Sequence, residues 1–74
     1  MVKSNIQNKI RELRFHKGEM TQQELADRVQ VSRQTIVAIE KGNYSPSLEL
    51  AFRFAHVFNT PLEEVFSYDP GEDK

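Results

Sequence analysis

The stretch "MTQQELADRVQVSRQTIVAIEKG", residues 20–42, holds two short apolar-periodic segments with only Gln30 and Val31 between them. In the first, Leu25, Ala26 and Val29 fall on one face of a 3.6-residue period. Thr21 stands ahead of it as a cap. Glu24 closes a Thr-x-x-Glu box, and Met20 is placed to staple onto Leu25. This predicts a helix over residues 22–29. In the second segment Ser32 caps, Val31 and Ile36 take the staple positions, and Ile36 and Ile39 face inward. Gly42 followed by Asn43 is a stop signal. That segment turns Gln34, Val37, Ala38 and Lys41 outward. Valine and alanine on the face a helix normally gives to charge require an explanation.

The rest of the chain continues the same pattern. No alternation of period two runs long enough to predict a strand, so every element reads as helix. Helix one is expected over residues 5–17, capped by Ser4 with Gln7 completing a Ser-x-x-Gln box. Ile6, Ile10 and Leu13 form its apolar stripe, and Gly18 suits the position just past its end. After the loop "NYSPS", Ser47 caps helix four over residues 48–58. Its apolar residues cover well over half the helix circumference, and only Glu49, Arg53 and His56 make a polar strip. A helix apolar over so wide an arc is central or meets a second chain. Thr60 is expected to cap helix five, with Pro61 in its first turn and Glu63 completing a box. Val65 and Phe66 close the core. The expected fold is all-α: five short helices in one domain over residues 1–66, followed by an acidic tail over residues 67–74.

Composition narrows the chemistry. A chain of 74 residues holds one small domain. With no cysteine, disulfides and thiolate metal sites are excluded. His16 and His56 stand forty residues apart, so a structural zinc is not expected, nor any other cofactor. No apolar run approaches the roughly 20 residues of a membrane span, and no signal peptide opens the chain. The expectation is a soluble, cytoplasmic protein. Net charge is −1, but it is unevenly spread. Residues 1–42 carry eight Lys/Arg against five Asp/Glu, and residues 43–74 carry two against six. Such asymmetry is compatible with a nucleic-acid face and an acidic end kept clear of it, and equally with an unevenly charged solvated surface.

Helices two and three, joined across Gln30 and Val31, are a helix-turn-helix candidate. Ala26 falls where the two should cross, and its small side chain permits close approach. The run "TQQELADRVQVSRQTIVAIEKGNYSPSLELAFRFAHVF" resembles the Cro/CI-type (XRE-type) helix-turn-helix family, the class of the phage repressors. The resemblance rests on Thr21-Gln22, Glu24-Leu25-Ala26, Val31-Ser32, Ile36, Ile39-Glu40, Gly42 and Pro46-Ser47-Leu48, and it covers roughly residues 5–66. One departure is Gln30, where the family usually has glycine because the backbone tends toward positive φ.

The resemblance implies a compact five-helix, phage-repressor-like bundle and a small stand-alone transcriptional regulator. It also answers the question about the outward valine and alanine. With Ile36 and Ile39 inward, Gln34 and Lys41 point most directly out, Val37 and Ala38 flank them, and Arg33 lies at the edge. A helix in the major groove reads base edges with its first turns. There Gln pairs with adenine, Arg with guanine, and small apolar groups touch thymine methyls. By family position, Gln22 sits against the DNA backbone, Ser32 and Arg33 meet phosphate or a base, Gln34 reads bases, and Thr35 touches phosphate. Asn43, Tyr44 and Ser45 lie in the loop the family sets against the sugar-phosphate strand. For Tyr44 a ring folded onto the core is an equal alternative. Arg11 and Arg14 extend the basic footprint or, with more weight, lie on a solvated helix face.

Catalysis finds little support. No nucleophile is placed beside either histidine, no glycine-rich phosphate loop is present, and Glu63-Glu64 fits the first turn of a helix. The serious alternative is a protein-interaction module of the same fold, an antitoxin or a transcriptional coactivator, using the apolar surplus of helix four with Phe66 and Tyr68. The expected partners are double-stranded DNA, as a palindromic operator, and a second copy bound through helices four and five. Neither a small-molecule effector nor a membrane is implied.

Overall fold

The computed structural model describes residues 5–70. Its elements are β1 (Ile6–Asn8), α1 (Ile10–His16), α2 (Gln22–Val29), α3 (Arg33–Glu40), α4 (Leu48–Phe58), α5 (Leu62–Val65) and β2 (Phe66–Tyr68). The five helices are the expected ones. The two strands correct the all-α expectation. They pair antiparallel, Ile6 with Tyr68, Gln7 with Ser67 and Asn8 with Phe66. Asp69 N–H to Asn5 O extends the pairing at 2.9 Å, and Lys9 N–H to Val65 O closes its other end at 3.0 Å.

The strand also corrects helix one, whose expected start at residue 5 gives way to β1. The proposed Ser4 cap lies outside the described residues, and Gln7 serves the strand pair instead of a capping box. The reason is visible at Asn8. Its Oδ1 accepts the N–H of Ile10 at 3.1 Å, so a polar side chain begins the helix five residues later than expected. Its Nδ2 donates to Ile39 O at 2.9 Å and ties β1 to the end of α3. Satisfying both ends of one amide this way fixes where the strand stops.

The middle of the chain follows local rules. Thr21 accepts from the N–H of Glu24, whose carboxylate accepts in return from the N–H of Thr21 at 2.8 Å. Ser47 caps α4 by accepting from Leu50 N–H at 3.1 Å. Helix α5 departs from expectation. Pro61 is its N-terminal flanking residue, and no side chain caps it. Asn59, in the left-handed region at φ 52°, turns the chain sharply. Thr60 then faces back, and its hydroxyl donates to Phe58 O at 2.9 Å.

The core joins Ile10, Met20, Leu25, Ala26, Val29, Ile36, Ile39, Leu50, Phe54, Phe58 and Val65. Phe54 is its fully buried centre and meets Phe66 edge-on, with ring centroids 5.8 Å apart. Burying one such side chain contributes about 1.5–3 kcal/mol. Arg53, expected on the polar strip of helix four, has a structural task. Its guanidinium donates to Val29 O at 3.0 Å and so satisfies a carbonyl at the end of α2. Ile36 and Ile39 are sunk in this core, and that sets which way α3 faces.

Candidate nucleic-acid interface

The turn between α2 and α3 is made by Gln30, whose backbone lies in the left-handed region at φ 66° and ψ 45°. This is the conformation expected at that position, reached without glycine. Val31 N–H then bonds to Ala26 O at 3.0 Å, and Ala26 is fully buried between the helices. A larger side chain there would push α2 and α3 apart. The pair is thus held at a fixed angle by a small residue, a tight turn and a shared apolar wedge.

Helix α3 opens at Ser32. The Ser32 Oγ accepts from Thr35 N–H at 3.2 Å and lies 3.0 Å from Thr35 Oγ1. Both hydroxyls are therefore engaged with each other, and Thr35 is half-buried. Arg33, Gln34 and Lys41 are exposed, and Val37 and Ala38 are partly exposed. Gly42, at φ +80°, reverses the chain after α3, with Asn43 N–H bonded to Ala38 O at 2.9 Å. Asn43, Tyr44 and Ser45 consequently emerge beside the end of the helix. Tyr44 is 51% exposed, so its ring is not folded onto the core.

Gln22, Val37 and Lys41 line one cleft together with Arg11, Arg14 and Glu40. Gln22 is half-buried, and its Nε2 donates to Glu40 Oε1 at 3.2 Å. Glu40 in turn binds Arg14 twice, Nε to Oε2 at 2.7 Å and Nη2 to Oε1 at 3.1 Å. A third Arg14 donor, on Nη1, reaches Met20 O at 2.8 Å. These two side chains are only 14% and 10% exposed. A bidentate pair so far from water is a fixed girder between α1 and α3. Arg14 therefore belongs neither to a basic footprint nor to a solvated face.

This pair was not expected from the sequence, although a signal for it exists there. Arg14 follows buried Ile10 by four residues, and Glu40 follows buried Ile36 by four. A charge stacked one turn beyond a fully buried residue points inward and needs a partner.

Known proteins bear on this arrangement. The family described as Helix-turn-helix matches residues 10–65. An HTH-type transcriptional regulator of Archaeoglobus fulgidus is 51% identical over 67 residues, covering 90% of this chain and 93% of its own. The HTH-type transcriptional regulator YgzD of Bacillus subtilis is 46% identical over 61 residues, 82% of this chain and 91% of its own. The cryptic phage CTXphi transcriptional repressor RstR of Vibrio cholerae is 37% identical over 60 residues, 81% of this chain and 53% of its own.

Proposed function

Because this chain belongs to the helix-turn-helix family, in its Cro/CI (XRE) type, we propose that it is a sequence-specific double-stranded-DNA-binding regulator of transcription that inserts α3 in the major groove. It is a DNA-binding regulator and not an enzyme. The observation that carries the reading is the split of α3 into two faces. Ile36 and Ile39 are 0% and 1% exposed, while Arg33, Gln34 and Lys41 are exposed and Val37 and Ala38 partly so.

On this reading Gln34 pairs with adenine and Arg33 with guanine, and Val37 and Ala38 meet thymine methyls. Lys41, Gln22, Ser32, Thr35, Asn43, Tyr44 and Ser45 hold the flanking strands and set the register without reading sequence. Glu40 supports the assignment of Gln22, because it fixes that amide in place and occupies only one of its two N–H donors. Regulation proceeds by occluding or recruiting polymerase. The likeness to a phage repressor favours repression.

A homodimer on a palindromic operator completes the proposal. Ile6, Leu48, Ala51, Leu62, Phe66 and Tyr68 line an apolar groove between α4, α5 and the strands. Leu48 is 68% exposed and Tyr68 65%. Covering such side chains with a second copy removes apolar area from water. It also places two α3 helices on half-sites about one helical turn apart.

Selection of bound duplexes from a random pool yields the operator and its half-site spacing. Gln34→Ala should then lose discrimination at one base pair per half-site by about 1–3 kcal/mol while keeping its melting temperature. Undiminished selectivity in that variant would remove α3 from the reading role.

A further inference from the structure

We propose that Arg11 of α1 and Lys41 at the end of α3 form the two walls of a slot for a DNA backbone phosphate, making α1 part of the interface. The proposal rests on α3 facing DNA. Its geometric basis is the cleft that Arg11 shares with Arg14, Gln22, Val37, Glu40 and Lys41.

The charges in that cleft are sorted by their partners. The Glu40 carboxylate receives three donors, two from Arg14 and one from Gln22. Arg14 also donates from Nη1 to Met20 O. In the floor of the cleft the Arg14 and Glu40 charges thus compensate each other. Arg11 and Lys41 are exposed, and neither side chain has a hydrogen bond or ion pair among the described residues. Two uncompensated cations stand over a neutral floor with the apolar wall of Val37 beside them. A concave site with one sign of charge and a low-dielectric wall concentrates an anion. Gln22 lines the same cleft, and its Nε2 carries a second N–H besides the one given to Glu40.

The position of the cleft favours a phosphodiester over a small free anion. Val37 and Lys41 sit one turn apart on the helix that carries Gln34. A helix lying in the major groove is flanked by both phosphate strands, so a slot beside its carboxyl-terminal turn lies where a strand must pass. Arg11 then clamps that strand from the side of α1, opposite Lys41. It adds no base reading.

The test uses the full chain and the duplex obtained by selection. Binding is measured as log Kobs against log salt for wild type, Arg11→Gln and Arg28→Gln. Arg28 is also exposed, but lies outside the cleft. Arg11→Gln should reduce the magnitude of the slope by about 0.9, the value of one phosphate contact. It should weaken selected and scrambled duplexes by the same several-fold factor, leave base preference unchanged, and retain the wild-type melting temperature. Arg28→Gln should keep the wild-type slope. Inorganic phosphate at matched ionic strength should compete no better than chloride.

Equal slopes for wild type and Arg11→Gln, on a duplex that wild type still selects, would overturn the slot alone. An equal loss in both variants would reduce the effect to net charge and overturn it too. Specific competition by inorganic phosphate would make the cleft a free-anion site. A wild-type chain that selects no duplex would overturn both the slot and the reading of α3.

Discussion

Val37 is where the residue-scale reading is most exposed to test. It is partly exposed on α3 and lies in the cleft with Arg11 and Lys41. The site is only partly buried and a carboxylate there shares its cleft with Arg11 and Lys41, so Val37→Glu should change stability by no more than about 1 kcal/mol. In DNA it would face phosphate with the wrong sign and remove an apolar contact to a thymine methyl. Affinity for the selected duplex should fall by about 100-fold or more, the combined loss of roughly 3 kcal/mol. Fluorescence anisotropy gives the affinity and a thermal melt gives the fold. A wild-type affinity in this variant would place the outer face of α3 outside the interface. Arg14 teaches the opposite lesson at the same scale. It has the same side chain as Arg11 and sits on the same helix, yet Glu40 consumes its charge. A basic residue counts toward a nucleic-acid face only after its internal partners are known.

At the scale of elements, the turn at Gln30 carries a measurable strain. A side chain in the left-handed region costs about 1–2 kcal/mol that glycine avoids, partly offset by the entropy glycine loses on folding. Gln30→Gly should therefore stabilise the fold by about 1 kcal/mol, a rise in melting temperature of roughly 4–8 °C for a domain of this size. The turn geometry is preserved, so DNA affinity should stay within about two-fold. A lower melting temperature would mean that the Gln30 side chain contributes something the backbone argument omits. This turn was legible in the sequence because its signals are local. Thr21, Ser32 and Ser47 each announce a helix within three residues, and α2 and α4 begin and end where those caps and the apolar period place them. The outward set on α3 was legible for the same reason, since Ile36 and Ile39 fix the phase of one helix. What escaped is non-local. Strands β1 and β2 are three residues each and pair across some sixty residues of chain, too short for alternation to register. The Arg14–Glu40 girder spans 26 residues, and the Asn8 bond to Ile39 spans 31. Helix α5 was placed correctly but its cap was not, because the left-handed Asn59 redirects Thr60 toward α4.

For the whole molecule the question is how one small domain would read a useful length of DNA. A chain of about this size buries only about 60% of the surface its unfolded form exposes, and this one leaves Leu48, Phe52 and Tyr68 more than half exposed. The strand pair draws Ile6 and Tyr68 together beside Leu48 and Leu62, so an apolar groove is assembled from both ends of the described chain. Two copies related by a twofold axis can cover such a patch with itself. Leu48→Glu should then convert a dimer to a monomer by sedimentation equilibrium, because each copy meets its partner's new charge as well as its own desolvation. Leu48 is exposed in the single chain, so the monomer should keep its helical signal. Binding to a full palindrome should weaken by about 10²-fold or more as the second contact is lost, whereas binding to an isolated half-site should be unchanged. Val37→Glu should do the reverse, keeping the dimer and losing both sites. The two variants thus separate reading from assembly. A Leu48→Glu chain that dimerises like wild type would move the subunit contact away from this groove. A wild-type chain still monomeric when it saturates the palindrome would remove the twofold arrangement and leave each domain to read its half-site alone.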